Sequence, residues 1–262
     1  MTTILGILNI TADSFSDGGK YLEPAAAIEH GRALLSDGAD ALDIGAASSN
    51  PDAEGVAPDV EIARLAAVLP SLQTAPLSID TYATPVQRWA LEHGVAYLND
   101  IQGFADAALY PALAASHARL IVMHSVQRMG RATRVDVPPS EIMARITAFF
   151  DARIGELEAA GIGRERLILD PGMGFFLGTD PETSFAVLRG LPDLTARYAL
   201  PLLVSVSRKS FLRRITGRDA RDSGPASLAA ELFAVRQGAA YIRTHAPGPL
   251  RDALAVTGAL DR

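Results

Sequence analysis

The stretch PAAAIEHGRALLSDGADALDIG, residues 24–45, decides the fold. Apolar positions recur at helical spacing between Ala25 and Leu35, and Gly38 suits a helix C-cap. Ala41-Leu42-Asp43-Ile44-Gly45 then reads as a short buried strand. The same unit returns with Gly94 ahead of residues 95–99, Gly161 ahead of 167–170 and Gly238 ahead of 241–245. Eight apolar runs can be counted, at residues 4–10, 41–45, 77–81, 96–101, 120–124, 167–170, 202–207 and 241–245. Helix-period segments follow at 24–37, 60–72, 85–93, 107–115, 141–160, 182–198, 227–237 and 249–260, the fourth being short and interrupted by Pro111. The runs are apolar on both faces, as in a parallel sheet covered by helices. Eight βα units in 262 residues predict an α/β chain folded as one (β/α)8 TIM barrel, a single domain over residues 1–262.

Composition narrows the function classes. With 48% hydrophobic and 21% charged residues the chain supports a sizeable core. The absence of cysteine excludes disulfides, thiolate nucleophiles and Cys-ligated zinc or iron–sulfur clusters, and fits a reducing cytoplasm. A formal net charge of −6 argues against a nucleic-acid partner. No apolar run is long enough for a membrane span, and the N-terminus lacks a basic leader, so a cytoplasmic protein is expected.

The polar residues that stop the apolar runs carry the chemistry. In chain order they are Asn9, Asp80, Asn99-Asp100, His124, Asp170, Ser207-Arg208-Lys209-Ser210, and Arg243 with His245. In a barrel these positions converge at the C-terminal mouth, together with the long loops at 11–23, 46–59 and 125–139. Asp80, Asn99 and Asp170 combine two carboxylates with one amide, a set able to accept parallel hydrogen bonds from a flat amino-heterocycle. Paired carboxylates also suit glycosidase acid/base work or Mg²⁺, although a single Trp offers little of the aromatic platform a sugar site uses. Asn9, Arg243 and His245 are donors suited to phosphate oxygens. Ser210 opens the segment 211–216, a short helix whose N-terminus suits a carboxylate. His124 reads as a hydrogen-bonded structural residue, and no His pairing suits zinc.

At these residues the chain resembles the dihydropteroate synthase family. The matching segments are Gly6-Ile7-Leu8-Asn9-Ile10-Thr11-Ala12-Asp13-Ser14-Phe15-Ser16-Asp17-Gly18-Gly19, Ser78-Ile79-Asp80-Thr81, Leu98-Asn99-Asp100-Ile101-Gln102-Gly103, Met123-His124, Leu169-Asp170-Pro171-Gly172, Ser207-Arg208-Lys209-Ser210 and Ile242-Arg243-Thr244-His245. They span nearly the whole chain in the family's order.

The resemblance implies a TIM barrel that joins hydroxymethyl-dihydropterin pyrophosphate to p-aminobenzoate, releasing pyrophosphate in folate biosynthesis. It implies Asp80, Asn99, Ile101, Met123, Asp170, Lys209 and Arg243 around the pterin. Asn9, Arg243 and His245 are implied at the pyrophosphate, with Asn9 on Mg²⁺, and Lys209, Arg243, His245 and Asn9 as the catalytic set. Ser48, Ser49, Pro51, Phe175, Phe176 and Ser210 are implied at the p-aminobenzoate pocket, and a homodimer as the assembly.

Two loops depart from the family pattern. Where the family reads Gly-Glu-Ser-Thr-Arg-Pro-Gly, this chain has Ala46-Ala47-Ser48-Ser49-Asn50-Pro51-Asp52, so Asn50 replaces the loop arginine. Where the family reads Gly-Phe-Gly-Lys, this chain has Gly174-Phe175-Phe176-Leu177-Gly178. A bulkier loop beside an intact pterin set resembles the sulfonamide-insensitive synthases, and a pocket narrowed by this loop is expected to reject the drug by clash while accepting the flat substrate. A pterin- or folate-binding protein without synthase activity, of the kind found in pterin-binding methyltransferases, is the competing reading.

Overall fold

The computed structural model describes residues 2–11, 23–48, 55–127, 132, 134–135 and 137–261. The strands are β1 (Thr3–Asn9), β2 (Ala41–Gly45), β3 (Leu77–Asp80), β4 (Tyr97–Asp100), β5 (Arg119–Met123), β6 (Leu167–Asp170), β7 (Leu203–Val204) and β8 (Tyr241–Thr244). All pair in parallel, in the order β6-β5-β4-β3-β2-β1-β8-β7. The remaining gap closes through a parallel bridge between Leu169 and Leu202 and a 2.9 Å bond from Leu169 N–H to the Pro201 carbonyl. The (β/α)8 barrel read from the sequence is the observed fold.

Among the described residues the helices are α1 (Pro24–Ser36), α2 (Pro58–Leu72), α3 (Thr84–Glu92), α4 (Tyr110–Ala115), α5 (Pro139–Ala159), α6 (Pro181–Arg189), α7 (Leu191–Tyr198), α8 (Ser210–Thr216), α9 (Gly224–Arg236) and α10 (Pro247–Leu260). The segment expected as one helix at 182–198 divides at Gly190 into α6 and α7. Pro192 has no N–H to continue the ladder, and it occupies the first turn of α7 instead. The weak fourth segment begins as a 3₁₀ turn over Ala107–Leu109, capped by Asp106, and becomes helical only at Tyr110–Ala115. The run expected as a strand at 202–207 keeps sheet pairing only at the Leu202 bridge and over Leu203–Val204. Beyond it the chain turns, with Arg208 at φ 58° and Lys209 N–H bonded to the Val206 carbonyl at 3.1 Å.

Strand alternation explains how this frame builds a site. Leu42, Ile44, Ile79, Leu98, Leu120, Val122, Leu167, Leu169, Val204 and Ile242 face outward into the large core beneath the helices. Their neighbours Leu5, Ala41, Ile121, Ile168, Leu203 and Tyr241 form a separate cluster inside the barrel. Two residues further along the same inner faces come Asp43, Met123, Asp170, Ser205 and Arg243. The polar mouth therefore continues the apolar inner layer in register.

Candidate active site

Asp80, Asn99, Ile101, Met123, Asp170, Lys209 and Arg243 line one cavity at the C-terminal ends of the strands, with Met173, Phe176 and Ser205 completing its wall. Every residue that the resemblance assigns to a pterin is therefore brought together. Arg243 Nη2 donates to Asp80 Oδ2 at 2.7 Å, and its Nε donates to Asp43. Asn99 Nδ2 donates to the same Asp43 carboxylate at 3.3 and 3.4 Å. This anchoring leaves the buried Asn99 Oδ1, and likewise Ser205 Oγ, without a partner among the described residues on the cavity wall. Asp170 Oδ1 accepts a 2.8 Å bond from Gly172 N–H, and Lys209 Nζ stands 5.0 Å from the Phe176 ring centroid. The cavity thus offers carboxylate and amide acceptors beside an ammonium donor, complementary to a ring carrying adjacent N–H groups and a carbonyl.

Burial sets the charge states. It raises the Asp80 carboxyl to about 7 despite Arg243, with Asp43 adding to the rise. It raises Asp170 to about 6 against the Gly172 N–H, Lys209 and Arg243. It lowers Lys209 to about 8, Arg243 assisting and Asp170 and Asp80 opposing. Arg243 is pushed upward overall, because Asp43 and Asp80 outweigh the cost of burying its charge. Such displaced values gathered in one cleft mark a functional site.

The phosphate-type donors lie around this cavity. Asn9 ends β1 opposite Gly45 in register. A Cβ on Gly45 would stand 3.6 Å from Asn9 Oδ1 and 3.9 Å from Asp80 Oδ2, so the bare glycine leaves these side chains a common surface. His245 Nδ1 lies 3.0 Å from Ser207 Oγ. Burial holds its imidazole well below the ordinary range, and Arg208, Arg243 and Lys209 add to the effect, so it is neutral.

The second pocket is seen in part. Ser48 is half-buried beyond β2, while Ser49, Asn50 and Pro51 lie outside the described residues. Gly174–Phe176 forms a 3₁₀ turn directly against the start of α8; a Cβ on Gly174 would stand 3.4 Å from Ser210 Oγ and 3.5 Å from Lys209 Cδ. The turn is tied down by Gly174 N–H to Ser184 Oγ at 3.1 Å and by Val126 N–H to the Phe176 carbonyl at 2.9 Å. Phe175 is half-buried, whereas Phe176 packs with Ile101, Met123 and Ala132. Phe176 therefore belongs to the wall of the pterin-type cavity as well as to the neighbouring loop.

Two other strand-end residues are structural. His124 is buried, donates from Nδ1–H to the Pro171 carbonyl at 3.1 Å, and meets Phe149 edge-on; burial lowers it to about 4. Asp100 accepts from Gln87 Nε2, Gln102 N–H and Phe104 N–H, fixing the turn after β4. Asp43 was missed by the reading of strand ends because it sits inside an apolar run. Period-two counting from Ala41 to Asp43, and from Leu203 to Ser205, is the signal that finds both missed residues.

The model of the pterin binding enzyme family matches residues 5–245. The chain is 60% identical over 259 residues to a dihydropteroate synthase type-2 of Escherichia coli, covering 98% of this chain and 95% of that protein. It superposes on Xanthomonas albilineans dihydropteroate synthase with 4-aminobenzoic acid at a TM-score of 0.88 and 34% identity, covering 99% of this chain and 93% of the other. The Xanthomonas albilineans enzyme in complex with 7,8-dihydropteroate gives a TM-score of 0.85 at 34% identity, with 99% and 94% covered.

Proposed function

The chain belongs to the pterin-binding enzymes and, among them, to the dihydropteroate synthases, and from that membership we propose how its residues carry the reaction. The pterin ring sits in the cavity of Asp80, Asn99, Asp170, Lys209 and Arg243. The convergence of these five side chains, with Asn99 Oδ1 left over as a buried acceptor, is the observation that carries the reading. Carboxylates accept from the ring N–H groups and Lys209 donates to its carbonyl. A substrate lacking those groups leaves the polar wall unpaired, which gives the site its selectivity.

The reaction forms a bond between the p-aminobenzoate nitrogen and the exocyclic methylene carbon, and breaks that carbon's bond to pyrophosphate. The aryl amine is neutral at pH 7 and gives up its proton only after it has bonded, so no strong general base is required. The barrier lies in the departing pyrophosphate. Asn9, Arg243 and the neutral His245 supply donors there, and the electron-rich ring shares the positive charge that develops on the methylene carbon. Ser210, at the first turn of α8, receives the p-aminobenzoate carboxylate.

Mg²⁺ fits this donor set in one form. Asn9 offers a single neutral oxygen, and among the described residues no group of three or more His, Cys, Asp or Glu side chains is placed to hold an ion. Asn9 would be the protein ligand of an ion shared with the pyrophosphate, and such an ion would offset the leaving group's charge. The assembly in this reading is a cytoplasmic homodimer. It is supported by the exposed Phe233 on α9 and by Val256 and Leu260 on the adjoining α10.

The anchored turn at Gly174–Phe176 is the basis for proposing sulfonamide insensitivity. It adds bulk beside Ser210, where the drug's sulfonyl group is larger than the flat carboxylate it imitates. The test is pyrophosphate release with p-aminobenzoate across a sulfamethoxazole series. Sustained release at drug levels that stop an ordinary synthase supports the whole reading. Release that the drug blocks at micromolar concentration keeps the synthase and discards the insensitivity. No release despite pterin binding moves the chain to the pterin-binding proteins.

A further inference from the structure

Glu231 lies on α9 and is 2% exposed, with Oε1 lacking a partner among the described residues. Its side chain approaches Thr244, which faces away from the barrel interior between the inward-facing Arg243 and the mouth residue His245. Thr244 Oγ1 also receives Ala246 N–H at 3.1 Å and lies 3.5 Å from Ser207 Oγ. Ser207 Oγ receives His245 N–H at 3.2 Å and lies 3.0 Å from His245 Nδ1. One chain of contacts therefore runs from the helix layer, through two hydroxyls, to the imidazole at the mouth.

A hydroxyl oxygen donates one hydrogen and accepts two. Starting from a protonated Glu231, the carboxyl donates to Thr244, Thr244 donates to Ser207, and Ser207 donates to His245 Nδ1. Each hydroxyl then has its donor and both acceptor positions used, counting Ala246 N–H on Thr244 and His245 N–H on Ser207. Starting from a carboxylate, the first bond reverses, Thr244 has no hydrogen left for Ser207, and the direction at Nδ1 is no longer imposed. Burial raises the Glu231 carboxyl to about 7, in line with the first arrangement.

The geometry points to Glu231 as a positioning residue that, through Thr244 and Ser207, fixes His245 as its Nε2–H tautomer and so presents an N–H donor to the pyrophosphate. This rests on the reading of His245 as a pyrophosphate contact, while the tautomer itself is measurable without it.

The chain has five histidines, so long-range ¹H–¹⁵N correlation spectra of the labelled full-length protein resolve their tautomers, with His245 assigned by its loss in His245→Asn. At pH 6 the parent should show Nε2–H, and Glu231→Gln should keep it, because the amide N–H still donates to Thr244. Glu231→Leu and Thr244→Val should each bring Nδ1–H into the spectrum and weaken inorganic pyrophosphate binding about tenfold by calorimetry, a loss of one hydrogen bond. A pterin without phosphate should bind all variants equally. An Nδ1–H parent, or an unchanged tautomer in Glu231→Leu and Thr244→Val, overturns the proposal, as does Glu231→Gln behaving like Glu231→Leu. Tautomers that follow the variants without any change in pyrophosphate binding would sustain the chain and refute the role of His245 on which it rests.

Discussion

Asp43→Asn removes one charge from the ion network beneath the cavity without changing its shape. Asp43 is fully buried, and the Arg243 and Asp80 side chains are 13% and 20% exposed. At the 2.7 Å separation of the Arg243–Asp80 pair, opposite charges attract by about 6 kcal/mol at an effective dielectric of about 20. Desolvation cancels most of that, but deleting one partner of a buried pair leaves the other uncompensated, at a cost of about 3–5 kcal/mol. Arg243 keeps Asp80, which places Asp43→Asn near the lower figure, about 3 kcal/mol. The new amide also has no good orientation, because both Asp43 oxygens accept from Asn99 Nδ2 and one also accepts from Arg243 Nε. Urea unfolding followed by both fluorescence and circular dichroism gives the cost, with coincident curves as the check on cooperativity. The double variant Asp43→Asn/Arg243→Met should recover about 2 kcal/mol relative to additivity, since the stranded guanidinium is gone. A loss below about 1 kcal/mol for Asp43→Asn, or strict additivity, would refute the reasoning.

The raised carboxyls make two opposite pH trends. Asp80 and Asp170 rise from 3.8 to about 7 and about 6, so the folded protein holds protons there that the unfolded chain has released. Without ligand, stability should fall as pH climbs from about 4 to 7, while pterin affinity should rise over the same range as the carboxylates form; Asp80→Asn should remove the upper part of both trends. Gly172→Ala should cost about 2 kcal/mol or more in urea unfolding, because that residue sits at φ 77° and its Cβ would come 2.4 Å from the His124 carbonyl oxygen. Phe176→Ala should lower the sulfamethoxazole concentration for half-inhibition about tenfold and destabilise the fold by about 3–5 kcal/mol, since the ring also packs on Ile101 and Met123. Unchanged inhibition in that variant would separate Phe176 from drug exclusion.

The barrel was legible because parallel strands buried on both faces read as plain apolar runs, and the polar residue ending each run falls at the mouth. Asp80, Asn99, Asp170, Lys209 and Arg243 were found this way and share one cavity. Asp43 was not, because its reason for being buried, Arg243, is 200 residues away in sequence and adjacent only once β1 lies between β2 and β8. Glu231 was equally hidden: in a helix an acid reads as solvent-facing until the strand behind it is known. The strand expected at 202–207 was too long because apolarity continues through Val206 while pairing stops at Val204. Hydrophobic pattern reports burial, and burial there belongs to the turn that presents Lys209.

The central claim is that this cavity binds a pterin pyrophosphate and transfers its methylene carbon to p-aminobenzoate. Its most direct test measures pyrophosphate and dihydropteroate together, in one reaction of the purified full-length chain with both substrates and Mg²⁺. The account predicts equal amounts of the two products, no dihydropteroate without p-aminobenzoate, and loss of both in Asp170→Asn. Pterin bound without either product, or product undiminished in Asp170→Asn, would contradict it.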